Sequence, residues 1–106
     1  MKDKSDTSQG VMMSTFKFAH IRQQGQDMII VPVEASFGSK SQTHQSEFVA
    51  AFQLAVNQAG LAGKAAAIWR SGRQIGFVAP QPWHPFFKSQ GIYELVLANL
   101  NKTITL

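Results

Sequence analysis

The chain has no cysteine among its 106 residues. That excludes disulfide staples, thiolate metal sites and cysteine nucleophiles together. Acids are also scarce: six Asp and Glu stand against ten Lys and Arg, for a formal net charge of +4. The shortage is uneven, since no acid occurs between Glu47 and Glu94 while Lys64, Arg70, Arg73 and Lys88 all fall there. A basic excess of this kind favours encounter with polyanions or acidic ligands without naming one. No stretch approaches the roughly 20 apolar residues of a membrane span. The start MKDKSDTSQG mixes both charges and carries no apolar leader core, so we expect a cytoplasmic protein with no membrane partner. Catalytic signatures are missing too: G-x-S-x-G, a Walker loop, H-E-x-x-H and G-x-G-x-x-G do not occur. The expectation is a protein without a cofactor, a metal or a catalytic residue, leaning away from an enzyme.

What is present is globular in composition, with 44% hydrophobic, 10% aromatic and 15% charged residues. Residues 1–14 are polar and read as a flexible N-terminal arm. Residues 15–106 read as one α+β domain with a single small core.

Phe16 to Arg22 alternates with a period of two, and Asp27 to Val33 follows as a second strand. A turn at Gln24-Gly25 sets Arg22 opposite Asp27, His20 opposite Ile29, Phe18 opposite Val31 and Phe16 opposite Val33. That register joins two apolar rows and an ion pair. Pro32 lacks an N–H, so its strand lies at an edge or ends there. Phe48, Phe52, Ala55, Val56 and Ala59 repeat at helical spacing over Thr43 to Ala59. Ser41 or Thr43 caps its start, and Gly60 stops it with Leu61 folding back. Lys64 to Arg70 and Gln74 to Ala79 form a second hairpin about Ser71-Gly72, with Arg70 opposite Arg73. Pro80, Pro82 and Pro85 stiffen a connection around Trp83 and His84, where Pro85 begins a short helical turn. A last helix covers Gly91 to Asn101, and Thr103 to Leu106 is a frayed end or a short added strand.

The expected architecture is therefore α+β, a two-layer ββαββα arrangement. It has a mainly antiparallel four-stranded sheet with two helices packed on it. In the first hairpin both faces are apolar: Phe16, Phe18, Ile29, Val31 and Val33 on one, Ala19, Ile21, Met28 and Ile30 on the other. The second face is covered within the chain, by the arm, or by a second chain. We weight the second chain, which makes a homodimer the expected state.

Six residues form the candidate binding surface. Arg70 and Arg73 flank a hairpin tip, and paired guanidinium groups suit carboxylate or phosphate through bidentate bonds; a solvated turn is the plainer reading. Trp69 lies beside them on a face of small residues, as a stacking platform or as packing. Trp83 and His84 sit between prolines, with Lys88 close behind, as a rigid anchor or as a plug between helix and sheet. His20 on an apolar strand face reads as a core residue. His44 and Glu47 have metal-ligand spacing but no third ligand in the sequence. The expected function is that of a small binding module, recognising a small anionic or aromatic ligand or a protein partner. Single-stranded nucleic acid ranks below these, because the basic residues are spread out. An enzyme built on His84 and Glu34 ranks last.

Overall fold

The computed structural model describes residues 14–106. The expected arm lies outside the described residues except for Ser14, which exchanges backbone hydrogen bonds of 3.1 and 2.9 Å with Leu106. In chain order the elements are β1 (Thr15–Gln23), β2 (Gln26–Pro32), a 3-10 turn (Ala35–Ser39), α1 (Gln42–Gln58), β3 (Lys64–Ser71), β4 (Gln74–Val78), a second 3-10 turn (Gln81–Trp83), α2 (His84–Phe87), α3 (Ile92–Ala98) and β5 (Leu100–Thr105). The strands form one sheet in the order β4-β3-β2-β1-β5.

The first hairpin takes the expected register, with Arg22 opposite Asp27 and His20 opposite Ile29. The Arg22–Asp27 ion pair closes at 3.0 Å. Gln24 and Gly25 both have positive φ, 52° and 77°, which is the two-residue turn whose twist matches that of paired strands. α1 is built by local signals. The Ser41 hydroxyl accepts from the His44 N–H at 3.1 Å. At its other end Gly60 has φ 90°, and the Gly60 and Leu61 N–H groups donate back to Asn57 and Val56.

Three expectations are corrected. The sheet is mixed and five-stranded, because β2 and β3 pair in parallel and the tail forms β5 against β1. A parallel neighbour requires a long crossover, and the stretch carrying α1 supplies it. The last helix accordingly ends at Ala98 rather than near Asn101. The second hairpin is displaced by two residues: Arg70 faces Ile75 and Ser71 faces Gln74, about a turn of Gly72 and Arg73. A two-residue shift preserves which side chains share a face. What selects this register is Trp69, whose indole lies over Gly76 and beside Gly38, where any Cβ would run into the ring.

The helices do not share one face. Phe52 and Val56 of α1 pack with Phe18, Ile29, Val31, Ala65 and Ala67. Phe87 of α2 and Ile92 and Val96 of α3 pack with Ala19, Met28, Ile30, Ala66 and Ile68 on the opposite side. The two apolar faces of β1 and β2 are thus covered by the chain itself. This removes the premise that led to a second chain over a sheet face. Pro32 ends its strand, the second of the two alternatives that its missing N–H allowed, and that strand is central rather than an edge. Among the described residues no helix is long and apolar enough to cross a membrane.

Candidate functional site

The six residues singled out by sequence do not meet on one surface. Trp69 packs on the α1 side, its ring 5.2 Å from that of Phe37. Trp83 lies on the other side of the sheet and is 7% exposed. Arg70 donates to Glu94 Oε2 at 2.7 Å and stands 4.8 Å above the Tyr93 ring. Arg70 and Arg73 do border one shallow hollow, shared with Tyr93 and Glu94. His84 Nε2 donates to the Ala79 carbonyl at 3.0 Å, and its ring meets the edge of Phe77. Lys88 is exposed and closes α2 through its N–H on the His84 carbonyl. His20 is half-buried, and its backbone N–H and C=O are both held by the Asn101 side chain, at 2.9 and 3.1 Å.

Trp83 does line a cavity, of about 690 Å³, between the Pro80–Phe86 segment and the tip of the first hairpin. Its polar margin is Gln23, Gln24, Gln26 and Lys64.

A second cavity, of about 560 Å³, opens where β2 ends, between the start of β1 and the first turns of α1. Its walls are the rings of Phe16, Phe37, Phe48 and Tyr93. Phe48 meets Phe16 at 5.4 Å and Phe37 at 5.3 Å between centroids, both edge to face. The loop that brings Phe37 here is fixed from below. Gln45 Nε2 donates to the Phe37 carbonyl at 2.9 Å and to the Lys40 carbonyl at 3.3 Å. The Phe37 N–H in turn donates to Glu34 O.

Three polar side chains border the same space: Lys40 just ahead of the α1 cap, His44 in its first turn, and Glu34 after β2. Among the described residues the ion pairs are Arg22–Asp27 and Arg70–Glu94, and Lys40 and His44 belong to neither. The arrangement offers a flat apolar body several ring contacts and an anionic end a cation, with Glu34 ready to accept from a donor. Among the described residues no hydrogen bond or ion pair joins His44 to Glu34. Glu34 and His84 border different cavities. Among the described residues no third His, Asp or Glu joins His44 and Glu47 as a metal group.

Sequence reasoning missed this cavity because its aromatic walls come from β1, a loop, α1 and α3. The available signal was the crossover itself. Ligands of α/β sheets gather outside the carboxyl ends of parallel strands, and the parallel β2–β3 pair was not foreseen. Comparisons with models of known protein families, with curated proteins and with solved structures find no match.

Proposed function

We propose that the protein is a small binding module and that its ligand is a small aromatic molecule carrying an acidic group. The observation that carries this reading is the cavity at the end of β2, with four aromatic rings in its walls and Lys40 and His44 at its margin. Its volume, about 560 Å³, falls in the range of small-molecule sites, which are mostly apolar with few placed polar groups. The Trp83 cavity is larger but has two aromatic residues, Trp83 and Phe86, among prolines and glutamines, so it ranks second. Nucleic acid ranks lower, because Trp69 and Trp83 lie on opposite sides of the sheet and Arg70 is engaged by Glu94.

The test is a nitrogen-15 NMR titration with 2-naphthoate, and with 2-naphthol as the uncharged control. Saturable shifts should appear at Lys40, His44 and Phe48. Lys40→Gln should weaken naphthoate several-fold and leave naphthol unchanged. Absence of saturation, or shifts confined to the Trp83 cavity, would refute the assignment.

A further inference from the structure

The two edges of the sheet are defended unequally. β5 carries Lys102 and a bulge, since Phe18 pairs with Lys102 and Ala19 with Leu100, leaving Asn101 between them. Charge and bulges are the usual devices that stop an edge from pairing with another chain. β4, the opposite edge, reads Gln74-Ile75-Gly76-Phe77-Val78, with no charge and no proline, and its pairing with β3 runs without interruption.

The turn decides which groups of β4 face outward. A two-residue hairpin loop makes Ser71 and Gln74 the first doubly hydrogen-bonded pair, so Trp69–Gly76 and Ala67–Val78 are the next ones inward. The N–H and C=O groups of Ile75 and Phe77 therefore point away from β3, toward open space. They need a partner strand or water.

We propose that a second copy of this chain supplies that strand, by antiparallel β4–β4 pairing about a two-fold axis at Gly76. Ile75 of one copy then faces Phe77 of the other and exchanges both backbone bonds with it, and the reverse holds by symmetry. Three observations select a second copy over an unrelated strand.

The outward-facing residues lie symmetrically one position either side of Gly76, which is what an isologous contact requires. Their side chains are half-buried and apolar on the α2–α3 side, so each pairing covers an Ile–Phe contact left at the rim of the core. On the other side the two residues on the axis are glycines, which leaves room for the two Trp69 indoles that lie over them. Beside Phe77, Val78 and Ala79 lies a cavity of about 480 Å³, bounded by Gly38 and Lys40, by Gln42, Gln45 and Ser46 of α1, and by His84. Pairing of the two copies there continues the sheet to ten strands.

The chain has no cysteine, so a spin label at Arg73→Cys is unique. Three residues on each side of the axis, at about 3.4 Å each, put the two labelled backbones about 20 Å apart. Sedimentation over a wide micromolar range, with a double electron–electron resonance distance on the labelled protein, reads the proposal. A concentration-dependent dimer with that separation supports it. Ile75→Pro removes an outward N–H from each copy and should raise the dissociation constant about tenfold or more, while circular dichroism reports a folded chain. A monomer at every concentration, or a dimer whose labels lie much farther apart, overturns the proposal. The label distance decides it even if Ile75→Pro does not fold.

Discussion

α1 and the pair α2–α3 cover opposite faces of the same sheet by different means. α1 has 17 residues, a serine cap at one end and a left-handed glycine at the other, so its limits are written in its own sequence. α2 has four residues and α3 seven, neither has a side-chain cap, and α3 starts from Gly91 at φ 81°. Helices this short do not persist alone in water. They are held by what they bury: Trp83, Phe87, Ile92 and Val96, none more than 7% exposed. One layer is specified before it packs, and the other exists because it packs.

The sharpest break between the layers comes from one deletion in each. Phe52 and Phe87 are both essentially buried, at 0% and 1% exposure. Replacing either with alanine should cost about 3–5 kcal/mol, for lost transfer energy and the cavity left behind. The consequences should differ. Phe87→Ala should let the amides of 81–98 exchange through a local opening well below the global unfolding energy. Phe52→Ala should leave α1 exchanging only with the whole molecule. Native-state hydrogen exchange reads both variants, and equal protection of the two layers in Phe87→Ala would erase the distinction.

The same contrast decides what was legible in the sequence. The first hairpin was, because Gln24-Gly25 fixes the turn and Arg22–Asp27 checks the register. α1 was, because Ser41 and Gly60 mark its ends. The second hairpin was legible only in which side chains share a face. Its register rests on the fit of Trp69 over Gly76, which exists only once β3 and β4 lie together. β5 was legible only as one of two alternatives for Thr103 to Leu106, since its partner β1 stands some 80–90 positions away; Thr15 and Thr105 are joined hydroxyl to hydroxyl across that interval. The apolarity of both faces of β1 and β2 was read correctly. Of its three explanations, coverage within the chain holds and the favoured second chain is not needed, because two short helical pieces between Pro80 and Asn99 suffice for a third layer. The cavity at the end of β2 stayed hidden because Phe16, Phe37, Phe48 and Tyr93 become neighbours only through long-range pairing.

A milder change tests the claim that α1 is specified locally. Ser41→Ala removes the acceptor of the His44 N–H and should cost about 1 kcal/mol, within the 0.5–2 kcal/mol range for such caps. Urea unfolding gives the loss, and fraying should be confined to the first turn of α1. That turn also carries His44, so the variant should loosen the mouth of the β2-end cavity without touching its aromatic walls. A loss below 0.3 kcal/mol would mean that packing alone sets where α1 begins.

The smallest effect concerns the tie between the second hairpin and the layer held by packing. Arg70 reaches from β3 to Glu94 in the first turn of α3 and lies over Tyr93 on the way. Both charged side chains are about half exposed or more, 46% and 65%, so water and salt screen them. A double-mutant cycle on Arg70→Ala and Glu94→Ala should give a coupling of about 0.2–1 kcal/mol that shrinks as salt is added. Tyr93→Leu in the same background should remove a further part that salt affects less, because the ring attracts the guanidinium at close range. If α3 depended on this contact, the cycle would give several kcal/mol and Glu94→Ala would open 92–98 to exchange. The packing argument requires the opposite: with the ion pair gone, Ile92 and Val96 still hold α3 against the sheet and its amides stay protected.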